Sequence, residues 1–369
     1  MGKSQVYFTD MRCEVETSLL DKLGRLIDAA GIARIEFANK YTAIKIHFGE
    51  PGNLAFLRPN FARVVVDKVR QLGGLPFLTD CNTLYVGRRN NALAHLDAAY
   101  ENGYSPFSTG CQIIIADGLK GTDDVEVPVT SGKYVKTASI GHAIMDADII
   151  ISLNHFKGHE CTGIGGAIKN IGMGSGSRAG KMKMHNDGKP VVDPDACVGC
   201  RKCAAFCAQG AFVYENALAA IDHDKCVGCG FCIGSCNFHA IYNPNGSSND
   251  LLNYKMVEYA KAVIDGRPNF HITIVNQVSP YCDCHGENDA AIVPDIGMFA
   301  SFDPVALDKA CADAVNKAPA INDSILSERD RTHNDYFTDI HPSTDWRGQI
   351  QHGVEIGLGS EEYELITLG

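Results

Sequence analysis

The chain has 369 residues, of which 45% are hydrophobic and 21% charged, as in globular proteins that bury a large core. Its formal net charge of −11 excludes the strongly basic surface that binds nucleic acids or anionic membranes. No apolar run approaches the roughly 18 residues of a membrane span. The absence of an apolar signal core and the presence of 15 cysteines predict a cytoplasmic protein, typical of an anaerobe.

Residues 1–189 alternate between strand and helix patterns. Strands are predicted at 41–48, 75–80, 111–116 and 148–153, and helices at 59–72, about 90–101 and around 141–147. This βαβ order is typical of an α/β fold with a parallel sheet and helices on its faces.

A glycine-rich stretch, residues 155–178, follows the last of these strands. Ligands of open α/β sheets bind beyond the carboxyl ends of the strands, where histidine, lysine and backbone amides can hold an anion or a metal-bound cofactor. Two alternatives stay open: residues 174–179 match a dinucleotide fingerprint outside its usual strand–helix context, and the glycines can serve close packing alone. The candidate catalytic residues are His155, His159 and Lys169, and the candidate cofactor-binding residues are Gly165 and Gly166.

Two copies of a C-x2-C-x2-C-x3-C pattern follow, the second starting 29 residues after the first (226 − 197). Such a run gives three thiolates to one [4Fe–4S] cluster and its fourth to the neighbouring cluster. A zinc site would leave surplus cysteines, and disulfides would need an oxidising compartment, so both alternatives are weaker. We expect one cluster on Cys197, Cys200, Cys203 and Cys236, and a second on Cys226, Cys229, Cys232 and Cys207.

The α/β pattern resumes after this cysteine-rich segment. A helix is predicted at 252–264, strands at 270–275 and 296–301, and a helix capped by Asp303 at 304–315, whereas 320–345 has the polar pattern of a surface excursion. Because about 55 residues build only a weak core, the clusters are expected to hold the segment together. The predicted fold class is α/β: a parallel-sheet body in two lobes (1–189 and 246–369) with an inserted bacterial-type dicluster ferredoxin domain (190–245).

The run Cys282-Asp-Cys284-His285 places three donor residues just after an apolar strand. Soft sulfur ligands beside an imidazole could hold an additional metal. The alternative is that these cysteines are buried small hydrophobic residues.

These motifs resemble a large family, known mainly as a domain of unknown function, in which a dicluster ferredoxin module interrupts an α/β protein. The resemblance rests on residues 156–174, 279–284 and 295–308 and covers almost the whole chain. It implies an iron–sulfur protein and supplies no settled reaction.

A fainter similarity is to the nickel-pincer lactate racemase family. His159, Lys169 and His185 follow the order and intervals at which that family has a catalytic histidine, a cofactor-bearing lysine and a metal-binding histidine. Arg58 lies where that family places a substrate-binding arginine, and Ile168 replaces the family's proline. The similarity implies a shared architecture and, as an alternative function, a racemase-like metalloenzyme with a cofactor tethered to Lys169.

The sequence therefore predicts an iron–sulfur oxidoreductase. Two [4Fe–4S] clusters would pass electrons to a substrate or cofactor site in the α/β body, where histidine can exchange the coupled proton. The expected partner is a redox protein or a small-molecule substrate, without nucleic acid or membrane. The first alternative is a non-enzymatic electron carrier or adaptor.

Overall fold

The structure is a computed structural model that describes residues 3–85, 87–185, 189–228, 231–242, 244 and 246–369. Its strands are β1 (Ser4–Asp10), β2 (Tyr41–Lys45), β3 (Leu75–Asp80), β4 (Ile113–Ile115), β5 (Asp124–Pro128), β6 (Thr137–Gly141), β7 (Ile149–His155), β8 (Lys157–His159), β9 (Gly163–Gly165), β10 (Val191–Val192), β11 (Phe212–Glu215), β12 (Leu218–Ile221), β13 (Ile241–Tyr242), β14 (Asn269–Val275), β15 (Gly297–Ser301) and β16 (Tyr363–Thr367).

Eight of these strands form one mixed, mostly parallel sheet in the order β16-β1-β15-β14-β7-β2-β3-β4. Strand β15 runs antiparallel to both of its neighbours, and the other described strand pairs of the sheet are parallel. Because β2, β3, β7 and β14 are parallel, their carboxyl ends meet at one edge of the sheet, where open α/β sheets bind ligands. The expected α/β body is therefore present.

Helices cover both faces of this sheet. They are α1 (Leu19–Ala29), α2 (Pro59–Gln71), α3 (Ala92–Glu101), α4 (Pro106–Thr109), α5 (His142–Asp146), α6 (Ala167–Ser175), α7 (Arg178–His185), α8 (Lys202–Ala205), α9 (Phe231–Gly234), α10 (Gly246–Ile264), α11 (Pro304–Lys317), α12 (Tyr336–Ile340) and α13 (Arg347–Glu355). None of the helices in the described part of the chain combines the length and the apolar character needed to cross a membrane.

The hydrophobic core lies in two layers, one on each side of the sheet. Strand β7 shows the division, because side chains alternate between the faces of a strand. Ile149 and Ile151 pack in the layer that holds α1 and α2, whereas Ile150 packs in the layer that holds α6, α10 and α11. The all-apolar start of β7 is thus explained by burial on both faces.

Residues 189–242 fold beside the sheet from two similar halves. Each half contains a short helix, α8 or α9, and the strands pair as β10 with β13 and β11 with β12. The backbone N–H of Cys197 donates to the Asp193 carbonyl at 3.0 Å, and that of Cys226 donates to the Asp222 carbonyl at the same distance. In the first half, the backbone N–H groups at 207 and 210 donate to the carbonyls at 204 and 207. In the second half, those at 236 and 239 donate to the carbonyls at 233 and 236. The 29-residue sequence repeat is therefore also a repeat of backbone structure.

The segment 320–345 differs from its prediction as a surface excursion. Phe337 and Ile340 of α12 are buried in the main core, together with Leu326 and Trp346. Asp335 caps α12 and also accepts a hydrogen bond from the Trp346 indole N–H at 2.8 Å. The polar pattern concealed this packing because buried carboxylates here serve as hydrogen-bond acceptors instead of facing solvent.

Candidate redox site and neighbouring cysteine groups

A buried cavity lies at the edge of the sheet where β2, β3 and β7 end. It encloses about 980 Å³ of atom-free space, including its opening to solvent. Its charged, histidine and cysteine lining consists of Lys45, His47, Asp80, Cys81, Arg89, His155, Lys157, His159, Glu160, Lys169, Lys181, His185 and Cys284. The loop after β7 thus reaches the position expected from the sequence.

The glycines after β9 make room for neighbouring side chains. A Cβ atom at Gly166 would overlap the carboxylate of Asp308, and one at Gly165 would lie 3.2 Å from the Lys157 stem and 3.3 Å from that of Lys169. Asp308 accepts hydrogen bonds from the backbone N–H groups of Ala167 and Ile168 at 2.7 and 2.9 Å, and so caps α6 from another helix. Both glycines therefore have a packing role beside the cavity, and Gly166 also lines it.

His155 fixes the segment that follows β14. Its Nδ1 lies 2.9 Å from an Asp283 oxygen and its Nε2 lies 2.8 Å from the Asn276 carbonyl, so both ring nitrogens face oxygen acceptors. Lys157 places its ammonium group 3.1 Å from Asp283. Burial opposes ionisation of Asp283, but the charges of His155 and Lys157 outweigh burial and hold the pKa of this carboxyl below its usual range. His155, predicted to be catalytic, is placed as an anchor of Asp283.

Cys282 receives hydrogen bonds from several directions. Lys169 Nζ lies 3.3 Å from its sulfur and the Cys284 backbone N–H donates to the same sulfur at 3.4 Å. Burial alone would raise the pKa of the Cys282 thiol, but the hydrogen bond from Cys284 and the charge of Lys169 hold it well below its usual value. Burial and the neighbouring sulfur raise the pKa of Cys284 well above its ordinary value. Cys282 is therefore the more acidic sulfur of the pair.

The ring of His159 has one nitrogen already occupied. Its Nδ1 accepts hydrogen bonds from the backbone N–H groups of Cys161 and Thr162, at 3.0 and 3.1 Å. In the neutral ring, Nε2 therefore carries the hydrogen and can donate but cannot bind a metal. His159, Cys282 and Cys284 have ligand atoms within 4.8 Å of one another. Glu160, Cys284 and His285 form a second such group, so the additional metal suggested by the sequence stays a prediction.

Glu160 brings a buried carboxylate to the cavity wall. Its Oε1 lies 3.1 Å from His285 Nε2, while its Oε2 has no hydrogen-bond partner among the described residues. Burial opposes ionisation, but the neighbouring imidazoles of His159 and His285 outweigh it and lower the pKa of Glu160 well below its ordinary value. A buried acceptor without a donor is costly, so this oxygen is suited to a bound group that carries one.

The racemase similarity suggested His185 and Arg58 as site residues. The structure places His185, but not Arg58, in the lining of the central cavity. His185 ends α7 and lines the cavity, and its ring lies beside the backbone of Gly228. Burial, with His159 and Lys169 nearby, lowers the pKa of His185 to about 3, so the ring is neutral at pH 7. Arg58 precedes α2, is exposed and is not part of the cavity lining.

The cysteines of the repeated pattern gather around two further cavities. Cys197, Cys200, Cys203 and Cys236 line one of them, which is the set expected for the first cluster. Cys207, Cys226 and Cys232 line the other, and Cys229 lies outside the described residues. Backbone N–H groups donate to the sulfurs of Cys207 and Cys226, at 3.3 and 3.4 Å.

Sequence reasoning missed several ion pairs that shape the central cavity. Lys45 at the end of β2 lies 2.8 Å from Asp80 at the end of β3, and Arg89 lies 2.8 Å from Glu50. All four side chains are buried. Charged residues at the last positions of two predicted parallel strands were the signal that could have identified the first pair.

The family model for a domain of unknown function (DUF362) matches residues 42–313 of this chain. The chain belongs to this family. A search of curated proteins finds no significant match. Membership in this family therefore does not assign a reaction to the site.

Solved structures resemble the chain only remotely. One is the lactate racemase apoprotein from Thermoanaerobacterium thermosaccharolyticum, with 11% identity, a TM-score of 0.35, and coverage of 74% of this chain and 51% of that protein. Another is a protein from Thermotoga maritima, with 12% identity, a TM-score of 0.36, and coverage of 80% and 58%. The chain thus spans between half and three fifths of the length of these two structures.

Proposed function

We propose that this protein is an iron–sulfur oxidoreductase whose inserted ferredoxin-like module, residues 190–245, delivers electrons to the central cavity. Two [4Fe–4S] clusters, one on Cys197, Cys200, Cys203 and Cys236 and the other on Cys226, Cys229, Cys232 and Cys207, would supply one-electron chemistry. Four thiols around one cavity and three described thiols around the other suit this cofactor. All of the described cysteines are free of disulfide bonds.

The backbone around these thiols also supports cluster binding. Gly199 and Gly228 adopt φ angles of 69° and 70°, which glycine tolerates and other residues rarely adopt. A Cβ at Gly199 would overlap the carbonyl oxygen of Ala217. The N–H groups directed at Cys207 and Cys226 would stabilise the negative charge of ligating sulfur.

The observation that carries the proposal is the contact between the second cysteine group and the central cavity. Leu84 lines both cavities. His185, in the wall of the central cavity, lies beside the backbone of Gly228, in the loop that holds Cys226. A redox centre on this loop would therefore lie directly beside the buried site.

The residues of the central cavity are suited to binding and protonating a substrate. The His159 Nε2–H can donate a hydrogen bond, the Lys169 ammonium can donate a hydrogen bond or a proton, and Glu160 Oε2 can accept one. A cavity with these groups in its lining favours an enzyme over a simple electron carrier. The tethered-cofactor alternative has less support, because Lys169 Nζ is already engaged as a donor to Cys282.

The proposal is tested on protein purified without oxygen. We expect about eight iron atoms and as many sulfides per chain, and reduction by dithionite. Reduced protein is then screened with small two-electron acceptors. His159→Ala combined with Lys169→Ala should abolish ligand-dependent oxidation of the reduced protein while the iron content is retained.

A surface pair provides the matched control. His142→Asn with Lys120→Gln removes one partly exposed histidine and one exposed lysine that do not line the cavity, and should leave turnover unchanged. Iron-free protein would refute the proposal. Full turnover in the cavity double variant would refute the role of the cavity.

A further inference from the structure

We propose that Cys282 and Cys284 form a redox-active dithiol–disulfide pair in the central cavity, which converts one-electron reduction into two-electron chemistry. The pair deepens the proposed function and rests on it for the origin of the electrons. Its formation and its reduction can be tested separately from the clusters.

A tight turn brings the two sulfurs together. The His285 backbone N–H donates to the Cys282 carbonyl at 3.1 Å, which closes a four-residue turn from 282 to 285. Both sulfurs lie within 4.8 Å of each other and of a His159 nitrogen. Asp283, between the two cysteines, is held from the opposite side by His155 and Lys157. The turn is thus anchored while the sulfurs face each other.

The donors around Cys282 are arranged for thiol–disulfide chemistry. A disulfide is reduced readily when the departing sulfur is stabilised as a thiolate. Lys169 Nζ at 3.3 Å and the Cys284 N–H at 3.4 Å provide that stabilisation at Cys282. Cys284 lacks these donors and lines the cavity, so its sulfur can meet a bound acceptor.

The pair also lies next to the first cysteine group. Tyr281 and His285, which flank the two cysteines, line a surface cavity together with Cys236. Lys202 of α8 lies 3.6 Å from Glu287, which connects the same two segments. On the other side Cys284 lines the central cavity, where no described residue donates a hydrogen bond to Glu160 Oε2. The pair is therefore placed between a cysteine group and a ligand-sized space.

Reduction of the disulfide consumes two electrons and one proton. The S–S bond breaks as two electrons enter, one proton from solvent is added to Cys284 Sγ, and Cys282 is left as a thiolate beside the Lys169 ammonium. The electrons come one at a time from a low-potential donor. In the protein this donor would be a reduced iron–sulfur centre, and in the test it is a reduced viologen. In the reverse direction, the pair passes both electrons to a two-electron acceptor in the cavity.

The experiment maps the thiols of the intact, anaerobic protein. The protein is treated with diamide, quenched in acid, alkylated after unfolding and digested for mass spectrometry. We expect the peptide with Cys282 and Cys284 to lose two hydrogens, and reduced viologen to restore both thiols. Failure of this disulfide to form, or a stoichiometric metal on the two sulfurs that prevents it, overturns the inference.

Variants separate this inference from the proposed function. Cys282→Ala and Cys284→Ala should retain the full iron content and one-electron reduction, yet lose all two-electron turnover; turnover at the wild-type rate overturns the inference. Cys111→Ala, which removes a buried thiol in the opposite core layer, is the matched control and should behave as wild type. If iron is absent while the disulfide still forms and is reduced by dithiothreitol, the cluster proposal fails and the pair stands.

Discussion

Gly166 shows how a single missing side chain lets two helices meet at the site. A Cβ at this position would overlap the Asp308 carboxylate that caps α6. We therefore expect Gly166→Ala to lower the free energy of unfolding by about 1–3 kcal/mol, because the carboxylate must move away from its two N–H donors. Urea unfolding followed by the fluorescence of Trp346, the single tryptophan, measures the change.

Gly24, in the middle of α1, supplies the control. A Cβ at Gly24 meets nothing within 4 Å, so Gly24→Ala should leave stability unchanged or raise it by up to about 1 kcal/mol. If both substitutions have the same effect, the fit between Gly166 and Asp308 is not a determinant of stability.

The buried pair of Lys45 and Asp80 predicts a pH dependence. Burial opposes ionisation of Asp80, but the charges of Lys45 and His95 outweigh it, so its folded-state pKa lies below the ordinary value of 3.8. Its contribution to stability is therefore present above the unfolded pKa and is lost as the pH falls through the lower folded value. Asp80→Asn should cost about 3–5 kcal/mol at pH 7, since Lys45 is left buried without its partner.

The comparison between pH 7 and pH 3 checks the sign. The difference in unfolding free energy between wild type and Asp80→Asn should shrink toward pH 3. Asp67→Asn breaks an exposed pair with Arg63 and should cost at most about 1 kcal/mol at pH 7. A difference that grows as the pH falls would contradict the lowered pKa.

At the scale of elements, the sequence was most informative where the period of the pattern was clear. Strand β3 has the predicted bounds 75–80, and α2 and α11 begin at the predicted prolines. Asp303 caps α11 as expected, accepting from the N–H groups of Val305 and Ala306. These features depend on neighbours in sequence, which is why a single sequence reveals them.

Features that depend on distant residues could not be predicted. His155 and Asp283 are 128 residues apart, and Asp308 caps a helix that begins about 140 residues earlier. The antiparallel direction of β15 within the sheet is likewise set by strand order, which periodicity does not encode. The sequence identified His159 and Lys169 as candidates. Their contacts with Glu160 and Cys282 could be recognised only from the fold.

The segment around α12 yields a prediction at the scale of one element. Asp335 accepts from the N–H groups of Phe337 and Thr338, from the Trp346 indole and from Arg347. Asp335→Ala should therefore cost about 3–5 kcal/mol, because it removes the cap and leaves the buried indole N–H without an acceptor.

Asp345→Ala is the matched control, since Asp345 is an exposed aspartate beside the same arginine. Its carboxylate accepts a hydrogen bond from the Arg347 backbone N–H at 3.0 Å, so its loss should cost about 1 kcal/mol, well below the loss at Asp335. Equal losses in the two variants would mean that the segment behaves as the surface excursion expected from its polarity.

At the scale of the whole molecule, the body and the cysteine-rich module differ in what stabilises them. The body has two core layers on a sheet of eight strands, whereas the buried hydrophobic residues described in the module are Cys203, Ala211, Ala219, Ala240 and Ile241. So small a core cannot offset the entropy lost on ordering a segment of this size. The stability of the module should therefore depend on its bound cofactors.

Removal of iron by an anaerobic chelator should unfold residues 190–245 and leave the body folded. We expect trypsin to cut the treated protein first at Lys202 or Lys225, while Trp346 fluorescence and the urea midpoint of the body change little. Untreated protein should resist cleavage at the same sites, and Cys200→Ser should be cut at an intermediate rate because one of the two clusters is weakened.

Because the module borders the central cavity through Leu84 and His185, the treated protein should also lose turnover while its body stays folded. Simultaneous loss of the Trp346 signal and the module would instead show that the body and the module unfold as one cooperative unit.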